Sequence, residues 1–388
     1  MSIGLTFEIC LLTPLGRGAV ATVAIYGRDG ARALRTLFRA SSSAADANLC
    51  LGRIYHGRWG APGEEVVVCR RGAEEIDIHC HGGASAVEAI VEDLAAAGGT
   101  RVPWAECLAR RTADAIASDA LIALAAARTE RTASILLDQW RGALAGELSA
   151  VQADLARRAA AAAIERLREL LRRSAHGLHL TTPFQVVLAG RPNVGKSSLI
   201  NALVGYERAI VFDTPGTTRD VVTAETAVDG WPLVLSDTAG LRASNDPLEE
   251  VGVRRARERL ASCDLVVLVF DASQPRSGYD DQLRREFPTA LIVENKCDLV
   301  SQHSSAGIPA AIRTSALSGA RIGDMLRSIG ERLVSAPTAS GVAVPFTTAQ
   351  VRAIEQAIAA LEQNDLTLAS SVLASISSGS RDSPVGSF

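Results

Sequence analysis

The sequence predicts an α/β domain with a phosphate-binding loop, inserted in an all-α helical domain and preceded by an α+β domain. In the α/β part, a β-rich apolar run at 184–189 leads into a glycine-rich loop and then a helical segment. The stretch 104–177 is rich in Ala, Leu, Arg and Glu and contains no proline, which is typical of packed helices. Residues 1–103 mix strand-like with helical runs. These three patterns together predict the fold class.

The α+β domain is expected to span residues 1–103. Its runs with strand or helix patterns are 21–26, 65–69 and 85–97. His79 and His81 flank Cys80, so that both imidazoles lie on one face of a strand. Because no further ligands of matching type lie nearby, we interpret this run as a strand end that turns at two glycines, rather than as a metal site.

The helical domain is expected in two parts, 104–180 and 337–388, with the α/β domain at 181–336 between them. The second part shows apolar residues at helical spacing, which predicts one helix over 348–376 that rejoins the first part. The Ser- and Gly-rich end of the chain is expected to fray.

The glycine-rich run at 190–198 fits the pattern G-x-x-x-x-G-K-[ST] between a strand and a helix. Its glycines, Gly195 among them, let successive backbone N–H groups face phosphate oxygens at a helix N-terminus. Lys196 is expected to reach the β- and γ-phosphates, and Ser197 to ligate Mg²⁺. Ser198 completes the set of loop residues expected to bind a nucleotide.

The run Asn295-Lys296-Cys297-Asp298 indicates that the base is guanine. It follows an apolar strand, and the Asp298 carboxylate can accept hydrogen bonds from N1–H and the 2-amino group. Adenine offers no such donor pair, so that ATP would leave the carboxylate unpaired. Lys296 can cover the base, Asn295 can join neighbouring loops, and Ser315-Ala316 suits a further loop that contacts guanine.

Two intervening motifs complete the pattern of a GTPase. Residues 233–237 predict a strand that ends in Asp237, which would hold Mg²⁺ through water, with the Gly240 N–H placed for the γ-phosphate. The polar loop 213–220 is of the kind that orders around that phosphate. We assign Thr218 to Mg²⁺, with Thr217 as the alternative. These elements in this order predict GTP binding and hydrolysis.

The residue that positions the attacking water is not settled by these motifs. Leu241 follows Gly240 and cannot orient water, so that a carboxylate from Asp246, Glu249 or Glu250 is expected to do so. The Asn193 amide oxygen can help to bind a monovalent cation between the phosphates. A hydrogen bond that braces the loop is an equal alternative for Asn193.

The composition argues against several classes of protein. The chain has 388 residues, 40 basic and 43 acidic side chains and a formal charge of −3, so that no global field attracts nucleic acid. Seven cysteines without a C-x-x-C pair favour reduced thiols and a cytoplasmic location. No apolar run approaches the roughly 18 residues that a membrane span needs.

The order of these segments resembles the MnmE (TrmE) family of tRNA-modification GTPases. The resemblance is strongest over 190–317, which contains Gly-Thr-Thr-Arg-Asp at 216–220 and Asp-Thr-Ala-Gly-Leu-Arg at 237–242. In the first domain, the run from Thr13 to Gly18 and His81-Gly82-Gly83 are similar to family signatures.

The resemblance implies roles for specific residues and partners. It implies Asn193 as a potassium ligand and Glu249 as the acidic residue that orients water. It also implies a folate-binding N-terminal domain that dimerises, and G domains that dimerise with GTP. With a flavin-dependent MnmG partner, family members modify the wobble uridine of certain tRNAs, using a tetrahydrofolate derivative.

The chain departs from the family at several signatures. Ala24 stands where the family has Arg, residues 70–74 replace Y-T-G-E-D, and residues 104–112 scarcely match their family segment. No cysteine follows Cys297, whereas the family ends in Cys-x-Gly-Lys. Because the overall order of domains follows the family, we nevertheless expect a role in tRNA modification. Two alternatives are a divergent paralogue that acts as a GTP-dependent switch and an assembly factor in which GTP controls dimer docking, both without folate or modification chemistry.

Overall fold

The structure is a computed structural model that describes residues 6–14, 18–41, 49–60, 63–206, 223–237, 260, 262–300, 308–334 and 339–378. The chain divides into two compact units, Met1–Ala113 and Asp114–Phe388. Each unit contains its own sheet. The division lies after the expected boundary at 103, since helix Trp104–Arg111 packs on the strand Phe7–Leu11 of the first unit.

The first unit is built on a seven-stranded sheet with order β3-β4-β5-β6-β2-β1-β7. Its strands are β1 (Phe7–Leu11), β2 (Val20–Tyr26), β3 (Phe38–Ala40), β4 (Ile54–Trp59), β5 (Glu64–Gly72), β6 (Glu75–His81) and β7 (Gly99–Arg101). Neighbours are antiparallel apart from the parallel pair β1 and β7. Its helices are α1 (Gly30–Leu37), α2 (Ala84–Ala96) and α3 (Trp104–Arg111).

The second unit has a six-stranded sheet with order β13-β12-β11-β8-β10-β9. Its strands are β8 (Phe184–Ala189), β9 (Thr223–Val228), β10 (Trp231–Asp237), β11 (Leu265–Asp271), β12 (Leu291–Asn295) and β13 (Ile312–Arg313). All described pairs are parallel except β9 with β10. Parallel strands buried on both faces read as continuous apolar runs, as in Leu265–Phe270.

Helices before and after this sheet pack together. Those before it are α4 (Ala115–Ala125), α5 (Glu130–Trp140), α6 (Ala143–Ala156) and α7 (Ala160–Gly177). Those along and after it are α8 (Lys196–Val204), α9 (Gly278–Glu286), α10 (Ile322–Leu333), α11 (Thr348–Glu362) and α12 (Leu366–Ser378). Helix α11 packs on α7, and α12 packs on α4 and α6. One hydrophobic cluster runs from these helices into the sheet.

The single helix predicted over 348–376 is wrong, because the chain turns between α11 and α12. Asn364 adopts a left-handed backbone with φ +62°, a conformation that Asn tolerates better than most residues. The Asp365 carboxylate then accepts a hydrogen bond of 2.9 Å from the Leu368 N–H at the start of α12. The pair Asn364-Asp365 therefore ends one helix and begins the next, a signal that apolar spacing alone does not reveal.

No helix within the described residues is long and apolar enough to cross a membrane.

Candidate nucleotide-binding site

The glycine-rich loop connects central strand β8 to helix α8. Gly190 has φ +153° and Gly195 has φ +93°. A Cβ on Gly190 would lie 2.2 Å from the Val269 carbonyl oxygen, and one on Gly195 would lie 2.4 Å from Asn295 Nδ2. Both positions therefore require glycine, for backbone conformation and for space. The loop is held closely against the ends of strands β11 and β12.

Lys196, Ser197 and Asp237 converge at the start of α8. Lys196 is buried, and its Nζ donates to the carbonyl oxygens of Gly190 and Arg191, each at 3.2 Å. Ser197 Oγ donates to Asp237 Oδ2 at 2.8 Å. Asp237 Oδ1 is buried without a hydrogen-bond partner among the described residues, 3.6 Å from Lys196 Nζ. A carboxylate, a hydroxyl and an ammonium group therefore lie close together. The two oxygen-bearing groups suit Mg²⁺, and the ammonium group suits phosphate.

Asn295 joins the phosphate-binding loop to the loop after β13. Its side chain is 2% exposed. Its Nδ2 donates to the Val194 carbonyl at 2.9 Å, and its Oδ1 accepts from the Ala316 N–H at 3.1 Å. Because both ends of the amide are used inside the protein, Asn295 fixes the distance between the loop expected to hold phosphate and the loop expected to hold guanine.

Lys296 lies across the loop beside Asn193. Its Nζ donates at 2.7 Å to the Asn193 carbonyl and at 2.7 Å to Asp271 Oδ2. Burial acts to raise the pKa of Asp271, but hydrogen bonds from Lys296 and Ser273 outweigh it, so that this pKa lies below its usual value. Asn193 is exposed, with φ +64°. In the described part of the chain, its backbone carbonyl, not its side chain, makes the bracing contact to Lys296.

The expected base-binding residues lie together at the ends of β12 and β13. Asp298 is exposed in a short 3₁₀ helix, Cys297–Leu299, whose first N–H donates to the Thr314 carbonyl. Ser315 is buried, and its Oγ accepts from the Ser318 N–H at 3.1 Å. Asp298 is thus exposed close to the turn at Ser315, since the Cys297 N–H is bonded to the Thr314 carbonyl. Ser198 is exposed at the first turn of α8.

Six residues predicted for the site, alternatives included, lie outside the described residues. They are Thr217, Thr218, Gly240, Asp246, Glu249 and Glu250.

Sequence reasoning missed two acidic residues that support the loop. Asp271 ends β11 and holds Lys296. Asp280 is nearly fully buried, and its Oδ1 lies 3.1 Å from Nε of Arg191 in the phosphate-binding loop. The apolar run at 265–270 that ends in Asp is a signal for the first. No local pattern distinguishes Asp280, which also caps α9.

The histidines at 79 and 81 and the arginines of α7 make ordinary contacts with neighbouring side chains. His79 Nδ1 lies 2.9 Å from Thr22 Oγ1, and His81 Nδ1 lies 2.5 Å from Glu64 Oε1. Among the described residues, no group of three or more His, Cys, Asp or Glu could hold a metal. The arginines of α7 form ion pairs with acidic side chains, namely Arg166 with Glu147 and Asp154, Arg168 with Glu362, and Arg172 and Arg173 with Glu169.

The first unit contains a cavity of about 620 Å³ between α2 and the sheet. Its lining is mostly apolar and includes Thr13, Gly18 and Gly82 from the two N-terminal signatures. A Cβ on Gly82 would lie 2.1 Å from the Gly18 carbonyl oxygen, so that glycine allows these two segments to meet. An ion pair, Arg101 with Glu88, lies at the same cavity.

Comparison with known proteins identifies the relatives of this chain. A family model described as "50S ribosome-binding GTPase" matches residues 185–296. The "tRNA modification GTPase MnmE" of a Synechococcus strain is 33% identical, over 82% of this chain and 78% of its own length. The protein of the same name from Syntrophotalea carbinolica is 34% identical, over 83% of this chain and 80% of its own length.

Similarity to solved structures is more limited. Era from Aquifex aeolicus, crystallised with GDP and AlF₄⁻, is 22% identical. The match covers 45% of this chain and 66% of that one, with a TM-score of 0.32.

Proposed function

The chain belongs to the MnmE family of tRNA modification GTPases, and from this we propose that it hydrolyses GTP in the modification of tRNA. The observation that supports this most is the Asn295 side chain, which joins the phosphate-binding loop to the Ser315-Ala316 loop. A nucleotide whose base and phosphates are both recognised requires these loops at a fixed separation. Asn295 holds the two loops together through hydrogen bonds to the Val194 carbonyl and from the Ala316 N–H, which supports one binding site for the phosphates and the base.

Mg²⁺ fits the donor set at the start of α8. Ser197 Oγ is available as a ligand when it leaves Asp237. The Asp237 carboxylate, of which one oxygen has no hydrogen-bond partner within the part of the chain that the structure describes, would hold a metal-bound water. When bound, Mg²⁺ neutralises charge on the phosphates. Lys196 would exchange its two loop carbonyls for phosphate oxygens, and Thr218, or else Thr217, would supply the remaining threonine ligand.

Potassium and a carboxylate complete the proposed catalytic machinery. Asn193 is suited to a cation because its side chain is exposed while its carbonyl is held by Lys296. Glu249 would orient the attacking water through its carboxylate.

We expect GTP turnover to be faster in KCl than in NaCl, and Asn193→Ala to remove that difference. Glu249→Gln should lower turnover in either salt while GTP affinity stays unchanged. Equal rates in both salts, unaffected by Glu249→Gln, would contradict both assignments.

The N-terminal unit would bind a tetrahydrofolate derivative. Its cavity falls within the size range of small-molecule sites, and residues of both N-terminal signatures line it. Titration calorimetry with tetrahydrofolate is the direct test. Absence of heat at millimolar ligand would remove folate from the proposal and favour a GTP-dependent switch.

We infer a G domain inserted between the two helical parts, a homodimer through the folate-binding-like domain, and G domains that meet when GTP is bound. A flavin-dependent MnmG-type protein and tRNA would be the partners, in the cytoplasm. Packing of α11 on α7 supports the insertion, and seven cysteines without a C-x-x-C pair support a reducing compartment.

Mass spectrometry of tRNA nucleosides tests the function as a whole. Deletion of this gene should remove an aminomethyl-type modification from wobble uridine, and the intact gene should restore it. Restoration by the parent but not by Lys196→Ala would tie the modification to nucleotide binding. An unchanged nucleoside profile would overturn the role in modification.

A further inference from the structure

The strand that ends in Asp237 is held at its opposite end by helix α5. Strands β9 and β10 are joined by a two-residue turn, Asp229-Gly230, in which both residues have positive φ (+47° and +77°). This is the tight hairpin turn whose twist matches that of the strands. Six residue pairs then run to Ser236, beside Asp237. The hairpin therefore connects its turn rigidly to the proposed Mg²⁺ site, about 20 Å away at 3.4 Å per residue.

The N-terminal end of helix α5, together with its capping residue Thr129, binds the backbone of this turn directly. Thr129 Oγ1 donates to the Gly230 carbonyl at 2.5 Å, and Arg131 Nη1 donates to the Asp229 carbonyl at 2.7 Å. Arg128 forms an ion pair with Glu225 on β9. A Cβ on Gly230 would lie only 2.7 Å from Arg131 Cβ, which shows how closely the helix approaches.

The turn is also enclosed on other sides. A Cβ on Gly330 of α10 would lie 2.8 Å from Val228 Cγ1, at the end of β9. Trp231, the first residue of β10, is 3% exposed and packs against His176 of α7 and Phe184 of β8. A shift of the hairpin along its length must therefore disturb contacts with helices on both sides, since close-packed interiors do not deform continuously.

We propose that Arg128, Thr129 and Arg131 are positioning residues, which set the place of Asp237 and thereby couple the helical part of the chain to Mg²⁺·GTP. The inference rests on the proposed GTPase function. It also implies the converse, that Mg²⁺·GTP changes the surroundings of the turn, because coupling between two sites is reciprocal.

The test uses the full chain and the double variant Arg128→Ala/Arg131→Ala. The Mg²⁺ concentration for half-maximal GTP hydrolysis should rise about fivefold or more, the lower end of coupling between sites. Arg131→Lys, which keeps a donor for the Asp229 carbonyl, should stay close to the parent. The matched control is Arg168→Ala, which removes an exposed arginine and its ion pair with Glu362 on other helices and should leave the Mg²⁺ dependence unchanged.

A second readout separates positioning from simple destabilisation. The fluorescence emission of Trp231 is obtained by subtracting the spectrum of the Trp231→Phe variant from that of the parent. This emission should change when the parent binds Mg²⁺·GTP, and it should change less in the double variant. A double variant that melts earlier but keeps the parent's Mg²⁺ dependence and emission change would overturn the inference alone. A parent that binds no GTP would overturn the proposed function, and the inference with it.

Discussion

At the scale of single residues, Asp298 is the side chain that we propose to select the nucleotide. Its short 3₁₀ helix is tied to Thr314 by the Cys297 N–H, whereas Asp298 itself is exposed. The carboxylate offers two acceptors to the two donors on the edge of guanine. An amide at the same place offers one acceptor and one donor.

Asp298→Asn should therefore shift binding from guanine toward xanthine nucleotides. Loss of one matched hydrogen bond and the gain of an unpaired group should weaken GTP binding by about tenfold or more. Competition between GTP and XTP for a fluorescent GDP analogue measures the ratio. Unchanged GTP affinity would refute the assignment of Asp298 to the base, while Asp281→Asn, on the exposed surface of α9, serves as a control for the charge change.

Residues that support the phosphate-binding loop were harder to predict than those expected to contact the nucleotide. Lys196, Ser197 and Asp298 belong to motifs because phosphate and guanine impose their chemistry and spacing on nearby residues. Asp280 touches Arg191 from a helix far along the chain. Its neighbours in sequence are those of an ordinary capping box at the start of a helix. Only the tertiary structure reveals that Asp280 also contacts the phosphate-binding loop through Arg191.

The turn between α11 and α12 is an element-scale feature that can be tested by stability. Asn364 has φ +62°, a conformation that costs a residue with a Cβ and no local polar group roughly 1 kcal/mol. We expect Asn364→Ala to lower the free energy of unfolding by about this amount, and Asn364→Gly to leave it nearly unchanged. Urea denaturation of the three proteins provides the comparison. Equal losses in both variants would show that the Asn side chain, rather than the backbone conformation, matters.

A pH dependence is expected where α7 meets the sheet. His176 packs near Trp231, and burial together with the neighbouring His179 lowers the pKa of His176 below its usual value. The unfolded chain then binds more protons than the folded one as pH falls through about 6.5. Stability should therefore be complete above about pH 7 and should decrease below it. His176→Gln should flatten this dependence between about pH 5.5 and 7, and equal slopes in both proteins would contradict the assignment.

At the scale of the whole molecule, the chain forms two units with separate hydrophobic cores. Buried residues of the first unit cluster around its own sheet and α2, whereas one cluster in the second unit joins helices to sheet. All described residues expected to contact GTP belong to the second unit. The first unit contains the cavity and the N-terminal signatures.

A fragment spanning Asp114–Phe388 should therefore fold and bind guanine nucleotide by itself. We expect its affinity for a fluorescent GDP analogue to lie within about threefold of that of the full chain, since independent sites couple weakly. A fragment that begins at residue 181 would lack helices that share the hydrophobic cluster and should unfold more readily. Loss of nucleotide binding in the longer fragment would show that the first unit is needed for the site.

The amino-acid sequence by itself determined the phosphate-binding loop, the guanine motif and the strand that ends in Asp237, because each is a local pattern whose chemistry depends on neighbouring residues. Only the tertiary structure decided that α3 packs on β1, that Asn295 joins two loops and that α5 holds the Asp229-Gly230 turn. These contacts join residues far apart in sequence, and the side chains that make them would suit many other surroundings. The chemistry of local motifs can therefore be predicted from the sequence, whereas the contacts that couple distant segments depend on tertiary packing.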